Sequence, residues 1–287
     1  MQPHPRWSAW WPFALLCLLA ATRWALNATL PTSGTTLLSA STGCAAAALV
    51  AFIFQRAIRG SDGHPINPRT LLGGALLLAG PFFSLLLTGH GISPNSLTLA
   101  LALVPIVAAI AEIALGNTPP GSFAARTWPA LAAITGLLLL IPQPNLSNPV
   151  TDAALLLAPL ATGIGAAIFA HSNARRNPSA LGSTLSAAAL LFAAAWLIQF
   201  LLHHTTAHLS PLAALLDAVT ALLTLFALSR IGLPRWSAQF ALVPLMVILQ
   251  GFVLLRPPID AYNSAGLALL TLGCVFLLLP QPSEKPA

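Results

Sequence analysis

The chain has 287 residues, of which 57% are hydrophobic and only 6% are charged, and its mean hydropathy is +0.83. A soluble domain carries about 25% charged residues, so this composition excludes an ordinary water-soluble globule and predicts a polytopic membrane protein. The net charge of +6 does not indicate nucleic-acid binding, because the basic residues lie in short gaps between apolar runs, as they do in cytoplasmic loops.

The apolar runs predict an all-α integral membrane protein with ten transmembrane helices. A helix needs about 20 apolar residues to cross a bilayer, and the gaps between runs contain helix breakers such as Pro119-Pro120-Gly121. The runs are continuously apolar instead of alternating, which excludes a membrane β-barrel. The predicted spans are 11–30, 35–55, 70–90, 95–115, 127–142, 152–171, 179–202, 210–229, 236–255 and 262–280.

The first run, which follows Trp7, Trp10 and Trp11, is interpreted as an uncleaved helix with a tryptophan anchor at the membrane surface. A cleaved signal peptide is the alternative, because a basic flank precedes an apolar core. With the N-terminus in the cytoplasm, ten basic residues fall on the inner side and only Arg256 on the outer side. This distribution predicts that both termini lie in the cytoplasm. The preference for arginine over lysine and the high content of Ala and Leu indicate a bacterial protein, so the membrane is expected to be the inner membrane.

An internal duplication divides the chain into two halves. The sequence Ala-Leu-Val-Pro occurs at 102–105 and again at 241–244, and a Pro-Pro pair follows each copy about one span later. Pro105 and Pro244 are 139 residues apart, close to half the chain length. Five spans per half is an odd number, so the second repeat enters the membrane from the opposite side. We therefore predict two inverted five-helix repeats, 1–145 and 146–287, an arrangement associated with transporters.

These features resemble the EamA-type branch of the drug/metabolite transporter superfamily. The resemblance spans both halves and is most specific in the fourth and ninth spans, at Pro105 and Pro244. The fifth and tenth spans, with Gly136, Gly266 and Gly273, also look like the glycine-containing ends of the family's repeats. It implies a central cavity between the halves and a substrate that is a small metabolite, amino acid or drug. Family members commonly carry Gly-Glu pairs past the fourth and ninth spans, where this chain has Gly116-Asn117 and Leu255-Arg256.

Two charged residues within spans are the leading candidates for a functional site. Ionisable groups inside a membrane are costly and usually face a cavity or a partner. At 1.5 Å per residue, Arg23 and Asp217 lie at nearly the same depth, so we predict that they meet in the outer half of the cavity as a gate or substrate contact. A structural ion pair, or an Arg23 side chain reaching the outer interface, is the alternative.

Six further residues complete the predicted substrate path, and each has an alternative interpretation. Pro105 and Pro244 free backbone carbonyls that contact a substrate only where they face a cavity, and otherwise they only kink helices for packing. Glu112 is a proton-coupling candidate, although pairing with a loop arginine at the cytoplasmic edge is favoured. The uncharged polar candidates, which interhelical hydrogen bonding would also explain, are Asn27, Gln239 and Gln250.

No metal, cofactor or catalytic site is predicted. The three cysteines lie in apolar runs without CxxC spacing, and the histidines of His203-His204 and His208 have no carboxylate beside them. No nucleophile elbow, zincin motif or P-loop is present, which argues against an enzyme and against an intrinsic ATPase.

The predicted function is secondary transport, with export as the expected direction, of a small molecule across the lipid bilayer by alternating access. A proton or ion gradient could couple to it, and no nucleic-acid partner is expected. The alternatives are a non-transporting scaffold or regulatory protein that kept the fold, and a lipid-linked-sugar flippase of the same superfamily.

Overall fold

The computed structural model of the protein describes residues 10–27, 33–59, 67–83, 94–116, 122–141, 149–172, 179–203, 208–255 and 260–279. These residues form α-helices and one short 3-10 helix, and they contain no strand. The helices are α1 Trp11–Asn27, α2 Ser33–Arg59, α3 Pro68–Ala79, α4 Pro94–Leu101, α5 Val104–Ala114, α6 Ser122–Leu140, α7 Pro149–His171, α8 Ser179–His203, α9 Pro211–Ile231, α10 Leu233–Ser237, α11 Gln239–Leu255 and α12 Ala261–Leu278, with the 3-10 helix Gly80–Phe82 after α3.

Seven helical stretches of the described chain are long and apolar enough to cross a membrane. A shorter apolar stretch, Trp11–Arg23, lies in α1. Large apolar side chains such as Phe54, Leu190 and Leu215 remain more than half exposed, as expected of side chains that face lipid. The all-helical class and the multi-pass membrane character predicted from composition are therefore confirmed.

Helix breaks next to prolines lie inside two of the predicted spans. The predicted fourth span divides into α4 and α5 at Ala102 and Leu103, directly before Pro105, whose nitrogen has no hydrogen to donate to Leu101. The Leu103 N–H instead donates to the Ala100 carbonyl at 3.0 Å, a 3-10 type bond that tightens the turn. Pro81 lies in the 3-10 helix Gly80–Phe82, which likewise follows directly on the end of an α-helix, α3.

Pro244, by contrast, lies inside the continuous helix α11. The break in the predicted ninth span falls earlier, at Ala238 between α10 and α11. Pro105 therefore follows a break in its span, whereas Pro244 lies within a helix. Gly232, with a φ of 82°, is the single residue between α9 and α10, and this left-handed conformation lets the chain reverse direction there.

Glycines allow the helices to approach one another closely. A Cβ on Gly136 of α6 would lie 2.6 Å from the Gly266 carbonyl oxygen of α12, and a Cβ on Gly165 of α7 would lie 2.7 Å from that of Gly73 in α3. Such small-residue contacts are typical of helix packing in membranes.

Packing connects the first and second parts of the chain along most of their length. Helix α2 packs on α8 and α9, α3 packs on α7 and α8, and α6 packs on α12. Helix α1 packs on α9 and α11, while α4 and α5 pack on α7. Trp236 of α10 is fully buried in the core that these contacts enclose.

Candidate functional site

A buried ion pair joins α1 to α9. The Arg23 Nε donates to Asp217 Oδ1 at 2.5 Å, and Nη2 donates to Oδ2 at 2.9 Å, so the guanidinium binds both carboxylate oxygens. The two side chains are 7% and 8% exposed. The structure thus brings together the two residues whose depths along their helices predicted a contact.

Local sequence explains where Asp217 lies. Helix α9 begins with Pro211 at its first position and Ser210 as its N-cap, whose hydroxyl accepts a hydrogen bond from the Ala213 backbone nitrogen. This start places Asp217 about two turns into the helix. The residues three and seven positions later are Thr220 and Thr224, which lie on the same helical face.

The Arg23–Asp217 pair lies on the wall of a cavity of about 460 Å³. This volume is in the range of small-molecule sites, about 300–1,000 Å³. Most of the wall is aliphatic or aromatic, and its other polar side chains are those of Asn95, Thr98, Thr220, Thr224 and Gln239. Such a cavity can enclose a largely apolar molecule and orient it through a few polar groups.

Aromatic side chains form a further part of the wall. Phe82 and Phe192 meet edge to face with ring centroids 5.1 Å apart, and Trp236 and Phe240 do so at 5.4 Å. These edge-to-face pairs hold the rings in fixed orientations. The cavity therefore has an aromatic section on the helices α8, α10 and α11 and on the 3-10 helix.

A second ion pair lies outside this cavity. Arg126 Nη1 donates to Glu112 Oε2 between α6 and α5, and both side chains are largely buried. A separate gap beside them, lined also by Pro105, Pro234 and Ser237, has a volume of about 10 Å³. That volume is at the lower limit for one water molecule, so the gap holds no substrate.

Six of the eight predicted site residues line either the cavity or the small gap. Arg23, Asp217, Gln239 and Pro244 line the cavity. Pro105 and Glu112 line the small gap, where Glu112 has the arginine partner that was the favoured alternative to proton coupling.

The remaining two predicted site residues are Gln250 and Asn27. Gln250 is exposed near the end of α11 and is not among the residues that line either void. The side chain of Asn27, like those of His203 and His204, lies outside the described residues.

Sequence reasoning missed the threonines and the phenylalanines of the cavity. Thr220 and Thr224 could have been found from their spacing relative to Asp217, because polar residues at i, i+3 and i+7 share a face. Phe82 and Phe192 carried no such signal, since both lie in runs that are apolar on all sides.

The described residues contain no group of three or more His, Cys, Asp and Glu side chains that could hold a metal. His208 is exposed, and its backbone nitrogen donates to the Thr35 hydroxyl at 3.3 Å. The three cysteines are free and buried, and Cys44 lies on the cavity wall.

Comparison with known proteins gives a likeness of fold. No family model matches the sequence, and no curated protein matches it. A solved structure, described only as the crystal structure of a protein, is similar with a TM-score of 0.65 at 17% sequence identity, over 92% of this chain and 95% of that one. At that identity, the likeness extends to the fold alone.

Proposed function

We propose that the protein is a secondary transporter that carries a small molecule across the bacterial inner membrane by alternating access. The observation that carries this proposal is the cavity of about 460 Å³ with the Arg23–Asp217 pair on its wall. A buried ion pair on a largely apolar wall is costly to maintain in a membrane, and such groups commonly mark substrate pathways.

In this proposal the helices form ten spans, with α3 and the 3-10 helix, α4 and α5, and α10 and α11 each making one span. The spans form two inverted repeats, 1–145 and 146–287. The packing supports this division, because the most extensive contacts between helices have counterparts when the halves are exchanged. Thus α1 on α9 corresponds to α7 on α3, α2 on α9 corresponds to α8 on α3, and the pairs α2–α8 and α6–α12 correspond to themselves.

The cavity draws its wall from both proposed repeats. The first contributes Arg23 and Thr98, and the second contributes Phe192, Asp217 and Gln239. A rocking motion of one repeat against the other would therefore change access to the cavity.

The cavity does not lie centrally along the proposed spans. With a cytoplasmic N-terminus, the lining residues lie in the central and outer parts of their spans, such as Arg23 near the end of α1 and Asn95 at the start of α4. The buried Trp236 and the Glu112–Arg126 pair lie toward the inner ends of their proposed spans.

The contacts at the opposite end support the proposed orientation. Arg235 at the start of the ninth span lies 5.7 Å from the ring of Trp10, which precedes α1. A tryptophan beside an arginine is typical of a membrane interface, and the basic residues predict that this interface is cytoplasmic.

The experiment that tests the proposal compares metabolites in cells with and without the protein and then measures flux in vesicles. A reproducible difference in one class of metabolite, followed by saturable flux of that class in proteoliposomes, is expected. A protein that leaves metabolite levels unchanged and gives no flux would be a scaffold. In that case the cavity would have no transport function.

A further inference from the structure

We propose that the cavity selects molecules without net charge: neutral or zwitterionic compounds with an aromatic or aliphatic body. This inference rests on the proposed transport function and names the class of substrate. Among the described residues that line the cavity, the charged ones are Arg23 and Asp217, and they are paired. Their charges sum to zero.

The geometry of the pair accounts for the selectivity. Both oxygens of Asp217 accept hydrogen bonds from Arg23, at 2.5 and 2.9 Å, so each charge is compensated by the other. A bound cation or anion would bring one uncompensated charge into a largely apolar cavity and would lose its hydration. A neutral molecule avoids this penalty. A zwitterion avoids it as well, because its carboxylate can bind Arg23 while its ammonium group binds Asp217.

The rest of the wall indicates the body of the substrate. Phe82, Phe192 and Phe240 present aromatic surface, while Thr220 on α9 and Gln239 on α11 supply polar groups. An amphipathic molecule with its polar group at the pair and its apolar body against the rings satisfies both parts of the wall.

A series of four ligands with one phenyl body separates the charge types: 2-phenylethanol is neutral, phenylalanine is zwitterionic, phenethylamine is a cation and phenylacetate is an anion. Binding of each is measured with the full-length protein in detergent, from the dependence of the unfolding temperature on ligand concentration. We expect the neutral and zwitterionic ligands to bind at least about tenfold more tightly than either ion.

Variants of the pair should change this order in opposite directions. Asp217→Asn leaves a net positive site and should make phenylacetate the preferred ligand, whereas Arg23→Gln should make phenethylamine preferred. The matched controls are Asp260→Asn and Arg230→Gln, which remove the same charges at exposed positions away from the cavity. Both controls should keep the order of the unmodified protein.

Three results would overturn the proposal: no ligand of the series binds, an ion binds to the unmodified protein as tightly as the neutral ligands, or Asp217→Asn leaves the order unchanged. Flux of phenylalanine into proteoliposomes is measured separately. Selective binding without flux would contradict transport and leave the selectivity intact. Flux of an added metabolite that carries net charge would support transport and contradict the selectivity.

Discussion

A Cβ added to Gly43 of α2 would lie 2.8 Å from the Cβ of Asp217 in α9. The same added atom would lie 2.6 Å from the Ala214 carbonyl oxygen. Atoms do not approach so closely, so the backbone of α2 touches α9 only because residue 43 has no side chain. This close approach fixes the depth and direction from which Asp217 reaches Arg23.

Gly43→Ala should therefore lower the thermal stability of the protein, because α9 must move away from α2 at the ion pair. Overpacking of a well-packed core costs about 1–3 kcal/mol. The measurement is the unfolding temperature in detergent. The matched control is Gly251→Ala, since a Cβ on Gly251 would have no atom of the described residues within 4 Å apart from the nearby backbone of its own helix. Equal effects of both changes would show that the α2–α9 contact is not tightly packed.

Removing one member of the Arg23–Asp217 pair should destabilise the protein more than removing both. Arg23→Gln or Asp217→Asn alone leaves an uncompensated buried charge, and breaking a buried pair in this way costs about 3–5 kcal/mol. The double variant should recover most of that loss. A double-mutant cycle measured by thermal unfolding gives the coupling free energy. Additive effects would indicate that the two side chains do not interact in the folded protein.

Loss of the Glu112–Arg126 pair should open the inner end. In a background where Cys17, Cys44 and Cys274 are replaced by serine, Ser237→Cys places a thiol in the small gap beside the pair. Adding Arg126→Gln should increase its labelling by an impermeant maleimide in inside-out vesicles several-fold. The control is Arg69→Gln, which removes an exposed arginine at the start of α3. Unchanged labelling would mean that the pair does not restrict access.

Reporter fusions test the proposed topology. A reporter after Lys285 should be active in the cytoplasm, and one at Arg256 should be active outside, because ten basic residues then face the cytoplasm. Alkaline phosphatase and green fluorescent protein fusions report opposite sides. An external Lys285 would contradict both the ten-span count and the inverted repeats.

The sequence was most informative about features that depend on distance along a helix. The Arg23–Asp217 contact followed from the rise per residue and the span boundaries, since both charges had to lie at similar depths. Pairing of Glu112 with an arginine was favoured because arginines flank the predicted inner ends of the spans. Both features involve charged residues, and this chain has so few of them that each has few possible partners.

Features that depend on which side of a helix faces the core were harder to predict. In α8, Phe192 lines the cavity while Leu190 is 72% exposed, yet both lie in a run that is apolar on every side. Such a run has no hydrophobic face from which an orientation could be derived. The sequence also did not reveal that Pro105 and Pro244 occupy different positions in their helices. Their local sequences are alike, yet Pro105 lies in the first turn of a helix and Pro244 lies inside one.

The charged pair departs from the symmetry of the proposed repeats. By the offset of 139 residues between Pro105 and Pro244, Arg23 corresponds to Thr162 and Asp217 corresponds to Leu78. Thr162 packs against Gly80, where its Oγ1 would lie 2.2 Å from an added Cβ, and its hydroxyl donates to the Ala158 carbonyl. The helices are therefore also in contact at the position that corresponds to the Arg23–Asp217 pair, but no ion pair lies there.

The most direct test of alternating access is the labelling of one cavity residue from both faces of the membrane. Val243 lines the cavity, so Val243→Cys in the background with the native cysteines replaced by serine places a thiol there. An impermeant maleimide should label it in right-side-out vesicles and, at a measurable rate, in inside-out vesicles. A cysteine at Arg256 controls for leakage and should react only from outside. Labelling of Val243→Cys from one face only would contradict alternating access.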